Sequence, residues 1–317
     1  MTKPRILAIV GPTASGKSSL AVRLAKELRG EIISCDSMQI YRRMDVGTAK
    51  PTAHEQELVR HRMIDIAEPH EPFSCADYVK IAKEEIAKTL EAGKLPIVCG
   101  GTGLYLDALL RGSDFGETQV DENLRLEFER FAEENGNEAL HKRLVEIDPE
   151  SAAAIHPNNV KRVIRAIEIF MTGGVKKSEL DRRSKLCESP YDALVIALRY
   201  NNRDILYERI DKRVDVMLKE GLLEETKQLL DEGIFEKNTT ASQAIGYKEM
   251  LCYLSGDTSL EGAAELLKTA TRRYAKRQMT WFSGKSYVVW IDADRDGHPR
   301  PFDDVVSDAL ALFGNKD

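Results

Sequence analysis

The sequence lacks a long apolar run, a paired-cysteine spacing and a leader-like start, and each absence removes a class of protein. No stretch of the 317 residues approaches the roughly 18 consecutive apolar residues that a membrane-spanning helix needs, so no membrane partner is expected. The five cysteines, Cys35, Cys75, Cys99, Cys187 and Cys252, form no C-x-x-C pair, which argues against a zinc site or disulfide framework and for a reducing compartment. The opening MTKPR passes straight into a strand-like segment without an apolar signal region, and a cytoplasmic location is expected. A net charge of −6 gives no global sign of a nucleic-acid partner. The charges, however, are segregated along the chain.

What is present reads as an α/β protein. Five short apolar runs, RILAIV (5–10), EIISC (31–35), PIVCG (96–100), ALVIALRY (193–200) and YVVWI (287–291), predict buried parallel strands, with helical patterns between them on both faces of a sheet. From about Gly112 to Pro190 this rhythm stops. Leu124, Phe128 and Phe131 make one helical stripe; Leu140, Leu144 and Ile147 make a second. Val160, Val163, Ile164, Ile167 and Phe170 make a third, ended by Gly173-Gly174. This predicts a small all-α domain, 113–190, inserted into a core formed by 1–112 and 191–317. No internal repeat or low-complexity segment occurs.

Three segments carry chemistry. GPTASGKS, residues 11–18, follows the first strand and opens an amphipathic helix. Its glycines free backbone N–H groups to face phosphate oxygens, Lys17 can reach the terminal phosphates, and the Ser18 hydroxyl can ligate Mg²⁺. Phosphate-loop motors and switches carry a carboxylate at another strand tip. Here the corresponding strand ends in GGTGLY, residues 100–105, without one, and its glycines would let backbone approach a ligand or simply make a tight turn. Asp36 falls at the carboxyl end of the second strand, the edge where open α/β sheets bind ligands. It could ligate metal, act as a base or cap a following helix, and Ser37, Gln39 and Tyr41 beside it suit a polar recognition wall.

The third segment is KTATRRYAKRQMTWFSGK, residues 268–285, which has no acid. On a helix Arg273, Lys276, Arg277 and Thr280 share one face, and Tyr274, Gln278 and Trp281 the adjoining one. Cations interleaved with aromatics and amides suit a phosphodiester backbone with splayed bases. Lys161, Arg162 and Arg165 form a second basic set, and Arg199, Arg203, Arg209, Lys212 and Arg213 a third. Any one such run is ordinarily a solvated face. Three in an acidic chain point to an anionic macromolecule.

Taken in order, GPTASGKS, DSMQIYRRMDVGTAKP, GGTGLY, HPNNVKRVIRAIEI, RIDKRVDVML, AIGYKEM and RRYAKRQMTWF resemble the tRNA dimethylallyltransferases, the isopentenyltransferases that modify the adenosine 3′ of the anticodon. The resemblance runs from about residue 5 to 291. Ser18 stands where the family often has Thr, and the zinc finger of eukaryotic members is absent, as in bacterial members. The resemblance implies a phosphate-loop NTPase-like core that moves no phosphoryl group. Residues Gly11, Pro12, Thr13, Ala14, Ser15, Gly16, Lys17 and Ser18, with Arg213, would hold the diphosphate of dimethylallyl diphosphate. Asp36 would be the general base, assisted by Lys17, Thr13 and Arg213, with Mg²⁺ at Ser18. The adenosine must leave its stack to be reached. By resemblance Asp36, Ser37, Met38, Gln39 and Thr102 would grip it. Arg125, Lys161, Arg162, Val163, Ile164, Arg165, Ser242, Gln243, Ala244, Ile245, Gly246, Tyr247, Arg273, Arg277, Gln278 and Trp281 would hold the anticodon stem-loop, the inserted domain acting as a clamp. The chain is read as a monomer. Alternatives are an isopentenyltransferase acting on free adenine nucleotide, a small-molecule kinase using ATP in the loop, and a non-catalytic RNA-binding protein.

Overall fold

The computed structural model of the chain describes residues 2–111, 121–235 and 240–315. It divides into two compact units, Met1–Leu110 with Tyr191–Asp317, and Arg111–Pro190. The expected boundary at 112–113 lies outside the described residues.

The first unit is built on a six-stranded sheet of order β3-β2-β4-β1-β5-β6, with every pairing parallel. Its strands are β1 (Arg5–Val10), β2 (Gly30–Ser34), β3 (His61–Arg62), β4 (Leu95–Cys99), β5 (Asp192–Arg199) and β6 (Val288–Asp292). The register pairs Leu7 with Ile97 on one side and with Leu194 on the other. Continuous apolar runs form strands here because helices cover both faces. The helices of this unit are α1 (Lys17–Glu27), α2 (Ala53–Leu58), α3 (Cys75–Glu91) and α4 (Gly103–Leu110), then α10 (Arg203–Lys219), α11 (Leu222–Asp231), α12 (Tyr247–Leu254), α13 (Leu260–Ser283) and α14 (Phe302–Gly314). Leu20 and Leu24 of α1 and Val305 and Ala309 of α14 bury one face with Leu7, Ile9 and Ile196. On the other, Tyr78 of α3 stacks on Tyr105 of α4 at 4.3 Å and donates its hydroxyl to the Ser34 carbonyl. A separate core joins Ile40, Tyr41 and Met44 to Val214, Met217, Leu229, Tyr247 and Leu267 of α10–α13. The five expected strands are present within one residue at each end. The edge strand β3, the hairpin β7 (Asp294–Arg295) and β8 (His298–Pro299), and α14 were not expected.

The second unit is helical: α5 (Glu122–Asn135), α6 (Asn137–Ile147), α7 (Pro149–Ala154), α8 (Val160–Gly173) and α9 (Lys177–Leu186). The three expected stripes meet in one core of Phe128, Leu140, Leu144, Val163, Ile164 and Ile167. Helices α7 and α9 escaped the sequence reading because neither carries a wide apolar stripe. Asp148, buried, caps α7 by accepting the Ser151 N–H and hydroxyl and also takes the Ser178 N–H at the start of α9. Among the described residues no helix is long and apolar enough to cross a membrane.

Candidate active site

The Gly11–Ser18 loop starts where β1 ends, on the carboxyl edge of the sheet, and runs into α1. The turn into the helix needs Gly16, whose φ of 93° lies in the left-handed region that side chains resist. Ala14 also has a positive φ, 62°, and its carbonyl is held by Arg209 Nε at 2.8 Å. The first N–H groups of α1 have no partner within the helix, and the positive end of its dipole faces this loop. Buried Ser15 Oγ likewise has no partner. The loop is therefore fixed from outside and left with donors to spare.

Asp36 lies two residues past β2, and its Oδ1 accepts the Met38 N–H at 2.9 Å. No helix follows: residues 37–40 form turns, so the capping alternative reduces to a local Asx turn. Thr102 pins this turn from the loop after β4, its Oγ1 accepting the Ser37 N–H at 3.0 Å and its own N–H donating to the Cys35 carbonyl at 3.2 Å. Of the two readings of the GGTGLY glycines, the close packing of the chain on itself favours the tight turn, although Gly100 also lines the cavity described below. A Cβ on Gly100 would sit 2.0 Å from the Cys35 oxygen, one on Gly101 2.0 Å from Gln278, and one on Gly103 2.3 Å from Trp281.

Thr13, Lys17, Ser18, Asp36 and Arg213 converge on one cavity of about 370 Å³. Ser37, Met38, Gln39, Gln243, Ala244, Ile245, Arg277 and Gln278 line it as well. An open groove alongside, of about 770 Å³, shares Lys17, Ser18 and Arg213 and adds Ala14, Gly16, Arg209 and Lys212. Lys17 Nζ donates to the Pro12 carbonyl at 3.3 Å. Burial holds its pKa below that of an ordinary lysine and Arg213 pushes it further down, while Cys99 and Asp36 pull the other way. Burial also lowers the pKa of Arg213, with Asp36 opposing. Two cations and one carboxylate thus share a site with charge left over for an anion. The nearby thiols are inert: burial pushes Cys99 up to about 11 and raises Cys35 further still.

Several residues expected to face RNA also bond or pack within the protein, Gln39, Ala244 and Gln278 among them at the cavity wall. Gln278 is buried; its Oε1 accepts the Thr13 N–H at 2.8 Å and its Nε2 donates to the Gly101 carbonyl at 3.0 Å, so it ties the phosphate loop to the GGTGLY turn. Gln39 accepts the Ser34 hydroxyl and donates to the carbonyls of Thr48 and Ala49. Tyr247 is buried with its hydroxyl on Glu225, and Ala244 is buried too. Val163 and Ile164 belong to the core of the helical unit, where apolar side chains on the buried stripe of α8 must go. In the same unit Arg125 pairs bidentately with buried Glu168, at 2.9 and 3.0 Å, and Arg165 bonds the same carboxylate at 2.5 Å.

The 268–285 cluster divides in two. Lys268 and Arg272 pair with Asp215 and Asp211 of α10, and Lys285 with Asp107 of α4. Arg273, Lys276, Arg277 and Thr280 form the exposed face of α13, and Trp281 has an indole N–H without a partner. Lys161 and Arg162 are exposed, whereas Ser242 and Gly246 do not line the cavity.

The sequence reading missed His61, Thr48, Met217, Thr271 and Lys248 in the cavity wall, where Tyr274, read from sequence as part of a base-stacking face, also lies, and it missed the bond by which Arg209 holds the phosphate loop. Arg209 had a signal, since it stands one helical turn before Arg213. Burial lowers the His61 pKa and keeps its ring neutral at pH 7, against the raising effects of the Val59 carbonyl and Glu55; a lone histidine at a sheet edge gives no signal in sequence.

Comparison with known proteins places the chain in a family. The model of the IPP transferase family matches residues 39–285. The tRNA dimethylallyltransferase of Halalkalibacterium halodurans is 50% identical over 92% of this chain and 91% of its own. That of Acetivibrio thermocellus is 47% identical over 98% of both. Among solved structures, the full-length tRNA isopentenylpyrophosphate transferase of Bacillus halodurans aligns with a TM-score of 0.73 and 46% identity, over 99% of this chain and 97% of that one. A eukaryotic dimethylallyltransferase described as acting on tRNA aligns with a TM-score of 0.83 and 31% identity, over 98% of this chain and 79% of that one. With a family model over most of its length and relatives at half identity across nearly all of it, the chain belongs to the IPP transferase family.

Proposed function

We propose that this chain is a tRNA prenyltransferase that moves the dimethylallyl group of dimethylallyl diphosphate onto N6 of the adenosine 3′ to the anticodon. The observation that carries the reading is the convergence of Lys17 and Arg213, both depressed by burial, with Asp36 on a single cavity. Such a site favours a strongly anionic ligand beside a proton acceptor.

In the reaction the adenosine N6 forms a bond to the allylic C1 as the C1–O bond to diphosphate breaks. The N6 lone pair is delocalised into the purine, so the nitrogen must shed a proton as it attacks. One oxygen of Asp36 is spent on Met38, and the other is available to take that proton. The charge that gathers on the departing diphosphate falls to Lys17, Arg213 and the N–H groups opening α1, with Thr13 beside the allylic group. Among the described residues no cluster of three or more His, Cys, Asp or Glu could hold a metal. The residues do fit Mg²⁺ held chiefly by substrate phosphates, with the Ser18 hydroxyl as its protein ligand. Bound there, Mg²⁺ would neutralise charge on the diphosphate. The exposed face of α13, with Gln243 and half-buried Ile245 at the cavity wall, suits the anticodon stem-loop, with Lys161 and Arg162 supplying further phosphate contacts. The enzyme acts as a cytoplasmic monomer.

The test is to incubate purified protein with unmodified tRNA, Mg²⁺ and dimethylallyl diphosphate, with ATP replacing the prenyl donor in a parallel tube, and to weigh the digested nucleosides. An adenosine heavier by one five-carbon prenyl unit, in the first tube only, is expected. ATP consumption without a prenylated nucleoside would overturn the reading in favour of a kinase. Prenylation of free AMP in preference to tRNA would move it to the nucleotide-specific isopentenyltransferases.

A further inference from the structure

Residues 44–51 carry no regular secondary structure, yet they form a wall of the cavity. Gly47, Thr48 and Pro51 face the cavity in the company of Lys17 and Ser18, while Asp45, Ala49 and Lys50 face the outer groove. The segment is a partition between the two spaces, and something other than a ladder must hold it.

That hold comes from one carboxylate on another element. Glu225, in the first turn of α11, accepts three successive backbone N–H groups: Asp45 and Val46 on Oε2, both at 2.8 Å, and Gly47 on Oε1 at 2.9 Å. A fourth bond, at 2.6 Å, comes from the hydroxyl of buried Tyr247. Burial raises the Tyr247 pKa and the neighbouring Glu225 charge raises it further, so the phenol keeps the proton it donates. Consecutive N–H groups curling around one anion make a nest, here filled from within the protein. The Tyr247 ring also packs on the backbone at residue 47, where a Cβ would meet ring carbon at 2.4 Å and only glycine fits. Beyond the nest the wall is continuous: Gln39 grips the Thr48 and Ala49 carbonyls, and Lys50 bonds the Tyr41 carbonyl at 2.6 Å.

We infer that Glu225 is a positioning residue for prenyl transfer, setting the Asp45–Gly47 turn and through it the Thr48 and Pro51 wall beside the phosphate loop. The inference rests on the prenyltransferase reading and concerns the allylic diphosphate. Glu225 itself does not line the cavity. A small displacement of a wall beside a reacting group can cost as much as about a hundredfold in rate.

The experiment compares wild type with Glu225→Gln and Tyr247→Phe in steady-state prenyl transfer, tRNA binding and amide exchange of peptides spanning 44–50. Glu225→Gln keeps the shape but turns an N–H₂ group toward backbone donors. Its KM for dimethylallyl diphosphate should rise about tenfold or more, with the tRNA dissociation constant within about twofold and faster exchange at 45–47. Tyr247→Phe loses one bond of four and should raise that KM by about threefold. It decides the matter if Glu225→Gln does not fold. Wild-type KM and exchange in the variants would overturn the inference, as would equal losses in KM and tRNA binding that follow thermal stability. A wild-type protein that transfers no prenyl group would instead sink the reading of the reaction.

Discussion

Of the places where the molecule buries charge, the cavity of the first unit and Glu168 in the helical unit resolve the cost in opposite ways. In the cavity of the first unit, burial depresses Lys17 and Arg213, their mutual repulsion adds to the effect on Lys17, and Asp36 is the one nearby carboxylate to offset them. In the helical unit, burial opposes ionisation of Glu168. Hydrogen bonds from Arg125, Arg165 and the Asp121 N–H overcome it, so its pKa falls below the usual carboxylate range. Glu168 is fully buried and already satisfied. In the cavity two cations face one carboxylate, an excess of positive charge that suits an anion. A site that keeps unbalanced charge under burial is built for a ligand, while a buried charge with its partners in place is framework.

The sharpest way to break that contrast is to remove the carboxylate of Asp36, the proposed proton acceptor. Asp36→Asn should lower prenyl transfer by about 10²- to 10⁴-fold, the usual range for a lost general base, with tRNA affinity within about twofold. Single-turnover transfer and a filter-binding measurement on the same preparation separate the two effects. Normal turnover would reassign the base.

Arg213→Met comes next and tests both halves of the contrast at once. Losing one charge stabiliser should cost turnover about 10²- to 10³-fold. The same change removes a half-buried cation that shares its one nearby carboxylate, Asp36, with Lys17, so the free protein should melt at the wild-type temperature or a few degrees higher. Diphosphate with Mg²⁺ should stabilise the wild type by mass action and the variant much less. A variant that melts well below wild type without ligand would mean Arg213 is framework.

The same distinction separates what the sequence disclosed from what it withheld. The phosphate loop and Asp36 were legible because each is read from neighbours within a few positions, a glycine pattern after a strand and a carboxylate at a strand end, whereas Arg213 stood out from its basic run only through the family resemblance. The strands of the sheet were legible as apolar runs of five or more residues, but β3, two residues long, offers no run to find. Direction was the quantity that stayed hidden. Gln278 and Tyr247 sit in the motifs that carry the family resemblance, yet both point inward, because their partners at Thr13, Gly101 and Glu225 come from distant elements. The acid-free 268–285 segment looked wholly available for RNA. Half of its six cations are instead matched by Asp107, Asp211 and Asp215.

The smallest expected effect is at Glu168, and it falls on stability alone. Glu168→Gln removes the charge that Arg125 and Arg165 share, but both arginines keep more than a third of their side-chain surface exposed and remain hydrated. The loss should therefore be about 1–3 kcal/mol, below that of a fully buried pair. Because folding lowers the pKa of Glu168, its contribution is complete above the ordinary glutamate pKa of about 4.3 and disappears as pH falls through the lower folded value. Denaturant melts of wild type and Glu168→Gln should differ by a constant amount near neutrality and converge on acidification below that range. Chemistry at the cavity should be untouched, so transfer at saturating tRNA should match wild type. A variant with wild-type stability at pH 7 and weakened tRNA binding would reverse the assignment. Arg125, Arg165 and Glu168 would then be a preorganised RNA-binding group, and the helical unit would resemble the cavity after all.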